Sequence, residues 1–460
     1  MAPGVLIDDC NHSYSHNQGH GMPSRVLRIG IIGGGLAGAA AAGAFSRLPN
    51  VQVKVYERSP VIREAGAQIA VMVTAIKVLR RMLSPAAWNH LEQNLYRGKD
   101  TDGIQHRHWR TGEVLLKAIS PHTPRYLQEG RTSRVSLHRT LMMDVPEGVV
   151  EYGHEVAKVE TRRNDVGRSE AVLHFKGGHS TTVDLVVAAD GLYSKIRRQY
   201  HPETDVKYKG LVAYRINFPS SLVSHIKDLP DDSSSYRRGP NIVILSRLEP
   251  GVYSFAAFLQ EPEEFAQTLR WEHALGQPGI ERLKGKVKGW HRIVEEVVAA
   301  LPAVDAYPLH AAKWLENLVR DDCAAFVGDA AHPTAGGWGT GSAFCFSDVW
   351  ALYRSLQRTY NFKSPSKPPT CYDIPYALHL FNETRRHFLL RVERQFEYDR
   401  LDGLYVTEAL DDDEEFARRY RERYTLIWWI LEHDVDIKWQ EIEAEERHLY
   451  YGLAKQNALR

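Results

Sequence analysis

Cysteine is scarce in this chain: four in 460 residues, Cys10, Cys323, Cys345 and Cys371, with no C-x-x-C pair. That argues against a disulfide framework and a cysteine-based zinc cluster, and it fits a reducing compartment. Neither sign of charge is in surplus, since 58 Lys+Arg stand against 57 Asp+Glu for a formal charge of +1. A polyanion is held by a basic surplus that releases its counterions, so nucleic acid is not an expected partner. Long apolar runs are also missing. The best candidate for a membrane span, residues 29–45, holds six glycines and offers lipid little side chain, and Leu426 to Leu431 is far too short to cross. Residues 1–24 are polar, rich in His, Asn and Gly, and lack the apolar centre of a secretory signal; they read as the flexible N-terminus of a cytoplasmic protein. No H-E-x-x-H, P-loop or metal-ligand spacing is found, so no metal is expected.

What is present is a globular composition: 43% hydrophobic, 10% aromatic and 25% charged. A single hydrophobic core stops growing at roughly 250–300 residues, so two or three packed units are expected. Val26 to Ile32 reads as a strand, Leu36 to Leu48 as a helix and Val51 to Tyr56 as a second strand ending in Glu57. This is a βαβ unit, which implies a parallel sheet covered by helices. Two further apolar runs belong to the same sheet: Asp184 to Ala189, ending in Asp190-Gly191, and Cys323 to Val327, ending in Gly328-Asp329. Each delivers an acid and a glycine at the carboxyl end of a strand, where ligands of open α/β sheets bind. Lys207 to Phe218 and Asn241 to Leu259 alternate, with Pro250-Gly251 as punctuation, and read as antiparallel strands. A helix follows Ser342, a Pro/Ser/Lys-rich linker spans 363–370, and charged amphipathic helices complete the chain, with 411–415 as a solvated helix start.

Gly33-Gly34-Gly35-Leu36-Ala37-Gly38 satisfies G-x-G-x-x-G between strand and helix, and Glu57 answers it 19 residues beyond Gly38. Gly33 permits the turn, Gly35 lets the backbone approach a pyrophosphate, and Gly38 lets helix and strand close-pack. The helix N-terminus, with Leu36 and Ala37 in its first turn, faces the phosphates. Glu57 accepts from an adenosine ribose and repels a 2′-phosphate, so the ligand here is FAD or NAD; the motif does not separate them. Arg58, Gly66 and Ala67, just beyond the second strand, are placed in the same cofactor set.

Three more runs carry a resemblance. Residues 184–197 hold the D-G pair Asp190-Gly191, Gly328-Asp329-Ala330-Ala331-His332-Pro333 forms a G-D-A-A-H-P box, and Arg134-Val135-Ser136-Leu137 forms an R-x-x-L helix start. In this order they resemble the class A FAD-dependent aromatic hydroxylases, with a p-hydroxybenzoate hydroxylase-like fold, and within them the salicylate hydroxylase-like fungal-type branch. The resemblance covers roughly 25–360. It implies a Rossmann-like FAD-binding domain (25–80, 130–200 and 318–360) with an inserted antiparallel β-sheet substrate region (81–129 and 201–317) and C-terminal helices (371–460). It also implies FAD as cofactor, NADPH or NADH as cosubstrate, and O2. Reduced flavin and O2 form a C4a-hydroperoxide that transfers one oxygen to an electron-rich aromatic. Epoxidation or oxidative rearrangement of an indole or polyketide is the alternative, and a flavin-free NAD dehydrogenase the third reading.

By the same resemblance, Asp329 bonds the ribityl chain, Arg134 lies near the pyrophosphate or ribityl chain, and Asp190 and Gly191 shape the FAD site. The competing readings from the residues alone are a helix N-cap for Asp190 and a surface ion-pair partner for Arg134, while His332 reads as a structural residue. Pro333, Gly339, Thr340, Gly341 and Ser342 form a loop whose N–H groups make a positive nest for the flavin edge. The family's P-x-x-G-Q-G-x-N pattern is only partly kept here, its proline, glutamine and asparagine being replaced. On the substrate side Arg215, with its neighbour Tyr214, is the catalytic candidate, facing a carboxylate or phenolate; a surface ion pair for Arg215 is the competing reading. Phe255 and Phe258 read as core. The expected partners are a small aromatic substrate and O2, in a monomer or homodimer.

Overall fold

The computed structural model describes residues 25–61, 68–98, 103–118, 123–248, 250–269, 275–336, 339–360, 372–424 and 428–458. Leu27–Ile32, Val51–Glu57, Leu185–Ala188 and Ala324–Phe326 form the centre of a parallel sheet, with Val150–Tyr152 at one edge and the short antiparallel Val319–Arg320 at the other. Leu185–Ala188 is apolar throughout and Leu27–Ile32 is apolar but for Arg28, which pairs with Asp184, because helices and a second sheet cover both faces. The α/β expectation is therefore met: the strands at 27–32, 51–57, 185–188 and 324–326 lie side by side and parallel, so the turns after them share one edge.

The second large sheet has seven strands, ordered Asp305–Ala311, Lys207–Pro219, Val252–Gln260, Asn241–Arg247, Ser234–Arg238, Ile104–His108 and Val114–Ala118. Alternation decides its two faces. In Lys207–Pro219 the side chains of Val212, Tyr214 and Phe218 enter an apolar cluster with Ile280, Leu283, Val294 and Val298 from the helices Gly276–Lys286 and Arg292–Ala300. The opposite parity, Leu211 and Arg215, faces the parallel sheet across a cavity. A separate three-stranded sheet, 156–163, 169–175 and 180–183, covers one flank of the parallel sheet and was not foreseen; its Leu173 and Val183 press on Gly30.

The tail is helical as expected: Ile374–Thr407, Asp413–Tyr424, Trp428–Leu431 and Val435–Ala458. It packs on its own chain. Arg385 reaches Asp348, Asp436 accepts from Trp350 and Arg354, and Tyr420 meets His106, so the tail ties both large sheets together. The acid run starts a helix, with Asp412 Oδ1 accepting from the N–H groups of Glu414 and Glu415. Among the described residues no helix is long and apolar enough to cross a membrane, no cluster of potential metal ligands occurs, and Cys323 and Cys345 are free buried thiols.

Candidate active site

A cavity of about 980 Å³ opens between the carboxyl edge of the parallel sheet and the antiparallel sheet. The glycine turn forms its first wall. Gly33 has φ +100°, and a Cβ there would lie 2.6 Å from the Ala189 carbonyl; at Gly38 a Cβ would lie 1.9 Å from the Gly33 carbonyl. Both glycines are thus demanded by backbone packing. Gly35 is different. A Cβ on it would meet only Arg134 Nη2 at 4.0 Å, so its backbone faces open cavity. Leu36 and Ala37, in the first turn of the helix Leu36–Phe45, line the same wall.

Glu57 is not among the residues that line the cavity; it holds the glycine turn. Its Oε2 accepts from Gly34 N at 2.7 Å and its Oε1 from Ser59 N at 2.7 Å, while His138 Nε2 holds the Gly34 carbonyl at 2.8 Å. The glycine turn is therefore clamped from both sides. A carboxylate keeps further lone pairs beyond these two bonds. Arg58 is exposed and does not line the cavity. Gly66 and Ala67 lie outside the described residues, as do Gly337 and Trp338.

Arg134 opens the helix Arg134–Met142, capped by Ser133 Oγ accepting from Ser136 N at 3.0 Å. Its guanidinium lines the cavity, has its pKa lowered by desolvation, and lies in the field of Asp329, Cys345 and Glu57 without an ion pair among the described residues. The surface ion-pair reading of Arg134 is thus excluded. Asp329 is open to the cavity yet surrounded by protein, so it sits at the bottom of a deep recess; burial raises its carboxyl pKa against the lowering fields of His332, Arg197 and Arg134.

Asp190 departs from the expectation. Its Oδ2 accepts from Lys195 N at 2.9 Å and from Ile196 N at 3.4 Å, the capping alternative, and its other oxygen is buried without a partner. Ala189 and Gly191 line the cavity on either side of it, whereas Asp190 does not.

Pro333, Gly339, Gly341 and Ser342 line the cavity, and Thr340 is buried just before the helix Gly341–Thr359. Gly339 takes φ +69°. Ser342 Oγ donates to the Ala70 carbonyl at 3.4 Å, and the Pro333 carbonyl accepts from Trp314 Nε1 at 3.2 Å, so these side groups position the loop.

Sequence reasoning missed the supports of this turn. Asp348 is fully buried; its Oδ2 accepts from Gly328 N at 2.8 Å and from His332 at 2.6 Å, and its Oδ1 accepts from Arg385 Nε at 2.8 Å. Arg197, also buried, donates to the carbonyls of Asp329 at 2.9 Å, Ala330 at 3.3 Å and Leu192. His332 is therefore a structural residue. Asp348 was visible as the acid after the glycine loop, whereas Arg385 carried no local signal.

On the facing sheet Arg215 lines the cavity, lies over the Phe258 ring at 5.2 Å, and makes no ion pair among the described residues; burial lowers its pKa against the Tyr307 hydroxyl. Tyr214 is corrected from catalytic candidate to core residue. Strand alternation sends it to the far face, where its hydroxyl donates to Glu261 Oε1 at 2.7 Å beside Arg282. Phe258 is corrected in the other direction: it lines the cavity, while Phe255, of opposite parity, is core.

FAD is tested against this geometry by what is left unfilled. A glycine backbone open to the cavity, a guanidinium with no acid partner, a helix N-terminus and a recessed Asp329 at one edge of a parallel sheet suit an extended dinucleotide with a pyrophosphate. The residues present fit the group.

No family model matches the chain. Among curated relatives, 6-hydroxynicotinate 3-monooxygenase of Pseudomonas fluorescens is 29% identical over 73% of this chain and 83% of its own length. The 3-amino-4-hydroxybenzoate 2-monooxygenase of Streptomyces cremeus is 27% identical over 73% of this chain and 80% of its own length. Salicylate hydroxylase of Pseudomonas putida is 22% identical over 91% of this chain and 95% of its own. Of solved structures, CtdE in complex with FAD and a substrate superposes with TM-score 0.74 at 16% identity over 92% of this chain and all of its own. HpxO of Klebsiella pneumoniae, complexed with FAD and uric acid, gives TM-score 0.65 at 20% identity over 90% and 96%. These structures share the fold.

Proposed function

We infer that this chain, a member of the class A FAD-dependent hydroxylases, is a flavoprotein monooxygenase that uses NAD(P)H and O2 to hydroxylate an aromatic small molecule. One observation carries the reading: a single cavity is lined on one side by Gly35, Arg134, Asp329 and Gly341, and on the other by Arg215 and Phe258. Cofactor wall and substrate wall face each other across it. The names of the relatives, all monooxygenases of ring substrates, support the same class of reaction. Nothing favours epoxidation, rearrangement or a flavin-free dehydrogenase.

FAD, when bound, supplies the redox and oxygen-transfer chemistry. The chain's residues do the rest. Gly35 and the first turn of Leu36–Phe45 would receive the pyrophosphate, Arg134 would add charge there, and Asp329 would accept from hydroxyls. The backbone of 339–342, at the start of the helix Gly341–Thr359, would supply fixed N–H dipoles that favour negative charge on the bound cofactor. Arg215 holds the substrate's carboxylate or phenolate and favours its ionised form, while Phe258, Ile242 and Ile244 keep water from the ring. We assign the cofactor unit to 25–80, 130–200 and 318–360, the substrate region to 81–129 and 201–317 and the helical region to 371–460, in a cytoplasmic monomer or homodimer.

The test is an absorbance spectrum of purified protein followed by a panel of phenols and aromatic acids. Flavin bands, substrate-stimulated NADH or NADPH oxidation and a product heavier by one oxygen are expected. A colourless protein that takes up no FAD would overturn the reading.

A further inference from the structure

The cavity floor is one face of the antiparallel sheet, and its register orders the side chains. Arg215 lies opposite Ala256, Ala256 opposite Ile244, Phe258 opposite Ile242, and Ile242 opposite Arg237. All six line the cavity. The floor therefore runs from one arginine, across four apolar side chains, to a second arginine three strands away. Strands lie about 4.8 Å apart, which separates the two backbones by roughly 14 Å. Arg215 leans inward over Phe258.

The fully buried arginines among the described residues are compensated, whereas Arg134 on the opposite wall, like Arg215 and Arg237, has no ion pair. Arg131, on the same cavity, is paired with Glu129 at 3.3 Å, Arg385 with Asp348 at 2.8 Å, and Arg197 with three carbonyls. Arg215 and Arg237 have no carboxylate partner among the described residues, and Arg237 Nε is buried without an acceptor. Four acids also line the cavity: Glu129 is engaged by Arg131, Glu393 accepts from Trp314 N at 3.1 Å, Asp329 belongs to the opposite wall, and none of these or Glu397 pairs with Arg215 or Arg237 among the described residues. Arg237 also lowers the His106 pKa, after burial itself, so its charge is felt in a protein-enclosed region. Holding a cation away from water without an anion is costly, and a ligand anion removes the cost.

We propose that the substrate is an elongated, flat aromatic diacid, with a carboxylate or phenolate at each end, one on Arg215 and the other on Arg237, its ring faces over Phe258, Ile242 and Ile244. A single-ring monoacid engages only one of the two guanidiniums. The inference rests on the reading of this cavity as the substrate site and adds the shape and charge of what enters it.

The experiment is calorimetric binding to the flavin-loaded protein of two probes: a biphenyl with a carboxylate at each para end, and the same biphenyl with one carboxylate. The diacid is expected to bind at least about tenfold tighter than the monoacid. Arg237→Met should bring the diacid down to the monoacid's affinity. Arg237→Lys, which keeps the charge and guards against a packing artefact, should fall between Arg237→Met and the parent. Equal affinity of the two probes for the parent protein, or an Arg237→Met variant that binds the diacid as tightly as the parent, overturns the inference. The flavin absorbance of the same samples separates the two levels. A yellow protein indifferent to the second carboxylate defeats the diacid alone, whereas a colourless one defeats the monooxygenase reading.

Discussion

Gly33, Gly35 and Gly38 look interchangeable in a motif and do three different things. Gly33 needs its positive φ, Gly38 needs its missing Cβ, and Gly35 alone faces open space. Gly38→Ala should therefore cost stability, about 1–3 kcal/mol by overpacking, because the new methyl meets the Gly33 carbonyl backbone; denaturant unfolding of the apoprotein reads it. Tyr214 makes the complementary case. Its hydroxyl serves the buried Glu261 and not the cavity, so Tyr214→Phe should lower stability by roughly 1.5–3 kcal/mol while leaving kcat/KM near the parent value. A hundredfold fall in kcat with unchanged unfolding would restore Tyr214 to the catalytic set. The motif glycines were legible from the sequence because their constraint is local. The capping role of Asp190 and the two hydrogen bonds accepted by Glu57 were not decided there, since each depends on which N–H groups the folded turn presents.

At the scale of elements, the alternation of Lys207–Pro219 was legible, and it already placed Tyr214 and Arg215 on opposite faces. Which face met the cavity was not, because that is fixed by the helices 276–286 and 292–300 packing behind the sheet. Phe258 was misread for the same reason. The support of the Gly328–Ala330 turn depends on contact between helices: Arg385 of Ile374–Thr407 reaches Asp348 of Gly341–Thr359, a pairing with no local signature. Burial pushes the Asp348 carboxyl pKa up, but the fields of His332 and Arg385 and the bonds to His332 and Gly328 outweigh it and hold it below the ordinary value. Asp348→Asn leaves the Arg385 charge uncompensated and should cost about 3–5 kcal/mol at neutral pH. A carboxyl with a depressed folded pKa stabilises above its unfolded value of about 3.9 and loses that contribution as pH falls through the folded one. The gap between parent and Asp348→Asn should therefore be flat from neutral pH to about 5 and narrow only below about 4, as read by denaturant titration at each pH. A gap that widens on acidification would contradict the assignment.

The whole molecule places two sheets and a helical tail around one cavity. The parallel arrangement followed from one βαβ unit and two further apolar runs ending in glycine and acid, a pattern that the physics of open α/β sheets makes readable. That the tail closes on both sheets, through Asp348–Arg385 on one side and His106–Tyr420 on the other, follows from packing over hundreds of residues and could not be read along the chain. FAD bound across this cavity should raise stability by mass action, by about 2.7 kcal/mol at a free concentration a hundredfold above Kd, visible as a concentration-dependent rise in Tm. The most direct measurement is a titration of apoprotein with FAD, parent against Gly35→Val. A valine there meets little protein and projects into the cavity, so the variant should fold normally and bind FAD at least about a hundredfold more weakly, the parent taking up one FAD per chain. Equal affinity and stoichiometry in a folded Gly35→Val protein would mean that the cofactor does not lie along this wall.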